Sequence, residues 1–144
     1  MYPLAIVAAL LIAFMLVFAQ SIGVEQEAQH RREVQTVSSN AAIYLDRAKT
    51  FVRANPGFTG QVSDSSLDLP SWYQKMDGIN CYASGGTGFL YLSGEGRQSA
   101  EALDLMGLQY PYGMKSGGVV VGSKFGDSFS VPGGVPDGSF VVKF

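Results

Sequence analysis

Residues Tyr2 to Val24 read YPLAIVAALLIAFMLVFAQSIGV, and no charged side chain occurs among them. Gln20, Ser21 and Gly23 follow the unbroken apolar core, Leu4 to Ala19, and are small or uncharged enough for a headgroup layer. A bilayer core roughly 30 Å thick takes about 20 helical residues at about 1.5 Å each. Leu, Ile, Phe and Val each favour insertion at mid-membrane by roughly 0.3–0.6 kcal/mol, and no charge opposes them. The stretch therefore predicts a single transmembrane helix over 1–24, with Leu4, Ile6, Leu10, Leu11, Phe14, Leu16 and Phe18 as its lipid-facing anchor. Two other readings compete. A cleaved signal peptide wants a basic leader and a shorter apolar core before a small-x-small site. Ala19-Gln20-Ser21 offers such a site, but only the α-amino group is positive ahead of the run. A helix buried in a soluble core is the other reading, and it is disfavoured because the run stands at the extreme terminus and shows no polar face at any helical phase. The anchor is the reading the residues favour.

Beyond it, about 120 residues remain, the size of one domain with its own core. The predicted organisation is an anchor at 1–24 and a single α+β domain at 25–144. From Glu25 the helical pattern continues but turns amphipathic. Val34, Val37, Ala41, Tyr44, Ala48 and Phe51 recur at spacings of three and four, with Leu45 and Val52 beside them. That stripe predicts a helix packed on its own domain, in preference to an intermolecular coiled coil. Asn55-Pro56-Gly57 ends it, because Pro56 disfavours helical backbone at Asn55.

Residues 58–73 read as an irregular connection. Leu67, Leu69 and Trp72 carry extended spacing within it, and Pro70 ends that segment. Strands are predicted at 78–82 and, more strongly, at 89–92 after the loop Ser84-Gly85-Gly86-Thr87-Gly88. A short helix follows at 99–106, with Ser99 as N-cap and Gly107 as its stop. The rest alternates strand and turn: a buried strand over 118–121, then 128–131 and 139–144, with Pro136-Asp137-Gly138 as a β-turn. The fold class is α+β: the transmembrane helix runs on into an amphipathic helix on a small, mostly antiparallel sheet, with one short helix inserted. The last strand is expected at a sheet edge, where Phe140, Val142 and Phe144 would offer a partner an open ladder.

Composition excludes several functions. The formal net charge is −2 and no basic run exceeds His30-Arg31-Arg32, which argues against nucleic acid. Cys81 is the one cysteine, so neither an internal disulfide nor a thiolate zinc site is available. It reads as a buried structural thiol, since His30, the one histidine, is poorly placed to activate it. Gly94-Glu95-Gly96 with Ser99 superficially suggests a phosphate loop. It lacks a third glycine and a P-loop Lys-Ser/Thr, and it carries an anion, so it reads as a tight turn before a helix. The aspartates stand singly, without the clustering of a calcium or magnesium site. Trp72-Tyr73 and Tyr110-Pro111-Tyr112 read as core or loop packing. No catalytic, cofactor or metal site is predicted, and no small-molecule substrate. Arg31 and Arg32, just past the apolar run, are a mild signal for a cytoplasmic domain.

In its whole layout the chain resembles the PilM family of small inner-membrane proteins of conjugative thin pili and related type IVb pili, a family distinct from the actin-like ATPase of the same name. The resemblance rests on the N-terminal apolar run, on Ala54-Asn55-Pro56-Gly57-Phe58-Thr59-Gly60, and on Leu67-Asp68-Leu69-Pro70 followed by Trp72. The closing Val131-Pro132 and Val135-Pro136-Asp137-Gly138-Ser139-Phe140-Val141 complete it, so it spans nearly the full length. These motifs are structural punctuation, and their order carries the likeness. The resemblance implies a non-enzymatic pilus-assembly component, single-pass in the inner membrane, with its domain in the periplasm and other assembly proteins or pilin as partners. The competing expectation is a minor pilin or pseudopilin, which shares the apolar-then-amphipathic helix. Such subunits carry a basic leader and an early glutamate, and Ile6, Val7 and Ala8 offer no acid. A membrane-anchored enzyme has no residue constellation behind it.

Overall fold

The stripe read from 34 to 52 folds as expected: Ala41, Tyr44, Leu45, Ala48 and Val52 are buried on one side of helix α1 (Tyr2–Ala54). The computed structural model describes residues 2–93, 96–121 and 128–144, with the side chains of 2–6, 20–24 and 96–98 left aside. The chain divides into two compact units, Met1–Glu33 and Val34–Phe144, and the sheet belongs to the second. Helix α1 ends where Pro56 forbids its continuation. The Asn55 backbone and side-chain N–H groups both donate to the Phe51 carbonyl, at 3.0 and 2.9 Å, and Arg53 sits in the last turn, where a cation suits the helix dipole.

Among the described residues seven strands form one sheet: β1 (Thr59–Val62), β2 (Ile79–Ser84), β3 (Thr87–Leu92), β4 (Tyr112–Ser116), β5 (Val119–Val121), β6 (Phe129–Ser130) and β7 (Phe140–Lys143). Their order is β1-β2-β3-β7-β4-β5-β6, and every neighbouring pair is antiparallel. Two hairpins close with Gly-Gly turns. Gly85 and Gly86, and again Gly117 and Gly118, hold φ between +55° and +83°, the pair of positive values that a two-residue turn matching strand twist requires. Helix α2 (Gly96–Leu105) packs on β7 and stops at Gly107, whose φ of +57° is the left-handed C-terminal stop the sequence predicts. Ser99 lies inside the helix and is buried, so it is not the cap; residues 94–95, where the glycine turn is expected, lie outside the described residues.

Both faces of the sheet are covered at its centre. On one, α1 and α2 pack against Ile79, Cys81, Leu90, Leu92 and Val142. On the other, Phe89, Tyr91 and Val141 meet Val120, Phe129, Val131 and Val135. Successive residues of β3 and β7 thus bury to opposite sides, which is why these strands read as continuous apolar runs.

The last strand is not an edge. β7 lies in the middle of the sheet, with Leu90 opposite Val142 on one side and Tyr112 opposite Val142 on the other. Phe144 also exchanges two 2.9 Å backbone hydrogen bonds with Gly88. The groups that Phe140, Val142 and Phe144 would lend to a partner strand are taken, and the edges belong to β1 and β6. Three further expectations change. The connection after Phe58 contains β1. Residues 64–66 form a 3₁₀ turn and Asp68 takes a φ of +46°, which breaks the extended path expected at Leu67, Leu69 and Trp72. Only Val120 of the 118–121 run is buried, while Val119 and Val121 face outward on the helix side of the sheet.

Candidate interaction surfaces

The first surface is the apolar helix itself. Val7, Leu10, Leu11, Ile12, Phe14, Met15, Leu16, Val17 and Phe18 are each 57–72% exposed. At 100° per residue, positions 10–18 go round the helix more than twice, so it is apolar on every side. The expected anchor residues Leu10, Leu11, Phe14, Leu16 and Phe18 all belong to it, with the Phe14 and Phe18 rings 5.3 Å apart. Leu4 and Ile6 lie outside the residues whose side chains are described. Among the described residues no helix is long and apolar enough to cross a membrane. The side chains described within the apolar run are those of 7–19, which rise only about 20 Å.

A polar cluster fixes α1 to the connection between β1 and β2. The fully buried Tyr44 donates its hydroxyl to Asp64 Oδ1 at 2.9 Å. Lys75 Nζ donates to both Asp64 oxygens, at 3.0 and 2.9 Å, and to Asn80 Oδ1 at 3.1 Å. One turn earlier on α1, the Tyr73 hydroxyl donates to Asn40 Oδ1 at 2.6 Å, and Asn40 Nδ2 donates to the Gln74 carbonyl at 2.8 Å. Burial, then the bond to Asp64 and its charge, push the Tyr44 phenol above its ordinary value; burial and the Asp64 charge push Tyr73 up to about 12. Both phenols therefore stay protonated and donate. Gln61, Ser63, Asp64, Lys75 and Asn80 also line an open depression beside β1. Its one cation and one carboxylate already neutralise each other, so the cluster works as a staple between helix and loop.

On the far face a second staple holds the closing loop. Lys115 is buried, and its Nζ donates to the Val135 carbonyl at 2.6 Å and pairs with Asp137 Oδ1 at 3.0 Å. That hydrogen bond and the lysine's charge hold the Asp137 carboxyl below its ordinary value. A buried lysine left unpaired would cost several kcal/mol, and these two partners satisfy it.

The remaining candidates for chemistry bring no site together. Cys81 is buried among apolar neighbours, which pushes its thiol up to about 12 despite a backbone hydrogen bond at Phe89 that lowers it. A thiol held neutral is no nucleophile near pH 7. His30 lies on α1, in the other unit of the chain. Among the described residues no three His, Cys, Asp or Glu side chains gather as a metal site. The aromatic pairs divide: Tyr112 is buried and Tyr73 and Tyr110 pack on the helix-side core, but Trp72 is 70% exposed, against the core or loop packing expected of it.

Set beside known proteins, this arrangement has relatives. The sequence profile of the PilM family matches residues 7–143. A crystal structure of a protein described as PilM from Pseudomonas aeruginosa 2192 superposes with a TM-score of 0.50 at 27% identity, covering 76% of this chain and 92% of that one. A second, described as PilM from Escherichia coli B7A, superposes with a TM-score of 0.59 at 15% identity, covering 81% of this chain and 94% of that one, a likeness of fold. No curated protein matches the chain.

Proposed function

The chain belongs to the PilM family, and from that premise we propose that it is a non-catalytic component of a type IVb or thin, conjugative, pilus assembly apparatus. In this reading residues 1–24 anchor it in the inner membrane, and the folded domain stands in the periplasm to contact other assembly proteins or pilin. One observation carries the anchor: nine large apolar side chains exposed all round a helix. Covering such a side chain is worth roughly 1.5–3 kcal/mol, so leaving nine in water forgoes roughly 14–27 kcal/mol, comparable to or above the about 5–15 kcal/mol that stabilises a domain. A single partner helix would cover one stripe. A bilayer covers every side, which supports the anchor over a partner helix. The periplasmic orientation is supported by the family likeness and opposed by Arg31 and Arg32, and the likeness is given more weight.

The second reading, a minor pilin or pseudopilin that enters the filament, is favoured by one feature. Helix α1 passes from the apolar run into the packed stripe without a break, as in filament subunits. Shearing separates the two. Sheared and purified pili should lack this protein, which should stay with the cell envelope, and its deletion should abolish piliation. Recovery of the protein along the length of sheared filaments would replace the assembly role with the subunit role.

A further inference from the structure

The sequence holds two Asp-Gly pairs, Asp77-Gly78 and Asp137-Gly138, and no Asn-Gly. Such a pair can close on itself, because glycine leaves its amide nitrogen unhindered. That nitrogen attacks the aspartate Cγ and a five-membered succinimide forms, while the amide proton and the carboxyl hydroxyl leave as water. Water then adds back. Addition at the former backbone carbonyl breaks its bond to the glycine nitrogen, so the main chain now runs through Cγ as isoaspartate. One water leaves and one returns, and nothing is oxidised or reduced. The fold can permit or block this reaction. It needs an N–H that donates to nothing, a carboxyl free to turn, and a proton on that carboxyl so that its oxygen departs as water.

The two glycines are alike in backbone, with φ of +88° at Gly78 and +82° at Gly138, and both aspartates are exposed. Their partners differ. The Gly138 N–H donates to the Lys115 carbonyl at 2.9 Å. Asp137 Oδ1 is held at 3.0 Å by the Lys115 ammonium, and the Gly117 and Gly118 N–H groups donate to the same carboxylate. Nitrogen and carboxylate are thus both engaged, and the lysine keeps the carboxylate charged. Asp77 has none of this. It sits in the turn that leads into β2, closed by the Ile79 N–H donating to the Met76 carbonyl at 3.4 Å. The Gly78 carbonyl is taken, by the Ser93 N–H at 2.9 Å and the Ser93 hydroxyl at 3.3 Å. Among the described residues, however, nothing accepts from the Gly78 N–H and nothing pairs with the Asp77 carboxyl. We infer that Asp77-Gly78 is a site of spontaneous isoaspartate formation in the folded chain, and that the Lys115 staple protects Asp137-Gly138 from the same reaction. The extra main-chain carbon would fall directly before β2, beside the bond that fixes Gly78 to Ser93. The inference goes beyond the assembly role proposed above and does not depend on it.

Ageing the full chain in detergent micelles at mildly acidic pH tests it, with a parallel sample kept in guanidinium chloride. Samples are digested at intervals and mapped by electron-transfer fragmentation, which tells isoaspartate from aspartate although their masses are equal. In the folded chain isoaspartate should build up at 77 at least about tenfold faster than at 137, where ring closure must first break the Gly138 and Lys115 bonds. In guanidinium the two sites should react at similar rates, since both are Asp-Gly and only the fold separates them. Equal rates at the two sites of the folded chain would overturn the inference. So would an Asp77 that stays intact in the folded chain while the denatured chain reacts. A tenfold excess at 77 that persists in guanidinium would overturn it too, because the difference would then lie in the neighbouring residues and not in the staple.

Discussion

Replacing Leu11 and Phe14 together by arginine is expected to move the protein out of the carbonate-washed membrane fraction. Both side chains are exposed near the middle of the apolar run, 58% and 64%. An arginine at the centre of a spanning helix costs roughly 2.5–3.5 kcal/mol on the insertion scale, and each apolar residue lost forfeits roughly 0.3–0.6 more. Two substitutions therefore oppose insertion by about 6–8 kcal/mol, more than the remaining apolar residues restore. Gln26→Arg, beyond the run, is the matched control and should leave the distribution unchanged. A double variant that fractionates with membranes as the native chain does would mean that something other than this helix holds the protein there.

Gly78→Ala is expected to be the most damaging single methyl group in the domain. Gly78 holds a φ of +88°, and a Cβ there would lie 2.2 Å from the Ser93 carbonyl oxygen and 2.9 Å from its hydroxyl. The Ser93 N–H donates to the Gly78 carbonyl at 2.9 Å, closing the end of the β2–β3 pairing. The substituted chain must therefore bear a left-handed alanine and also pull apart a backbone contact in the sheet. Together these cost about 3 kcal/mol or more, a fall in Tm of roughly 10 °C or a failure to fold. Gly57→Ala makes the comparison fair. Its φ is not in the left-handed region and nothing lies within 4 Å of its Cβ position, so Tm should stay within a few degrees. Thermal unfolding followed by circular dichroism reads both. Equal melting of the two variants would show that the Gly78–Ser93 approach is not a constraint on the sheet.

The residues that could be read correctly in advance are those whose burial is local and regular. The α1 stripe repeats at helical spacing, Pro56 and Gly107 act through their own backbone, and β3 and β7 are apolar on both faces. What escaped has a different physics. β1 carries glycine at 60 and buries only Val62 on its own, so no alternation marks it. β4 is hidden because an inward-facing position is Lys115, whose burial depends on Val135 and Asp137 some twenty residues on. The central place of β7 is a matter of long-range pairing, which a strand's own residues do not specify, and so Phe140, Val142 and Phe144 looked free. Val119 and Val121 looked buried because a valine run does not tell which part of a sheet the helix layer leaves bare. The same applies to Trp72, whose exposure follows from a turn set by Asp68 and Tyr73.

The proposed role requires an anchored chain whose domain stands outside the cytoplasm. Fusing an export-dependent phosphatase after Phe144, with a cytoplasm-dependent reporter at the same position in a parallel strain, tests it directly. Phosphatase activity with a silent cytoplasmic reporter is the expected result. A silent phosphatase beside an active cytoplasmic reporter would put the sheet on the side that Arg31 and Arg32 favour, and would contradict the periplasmic assembly role.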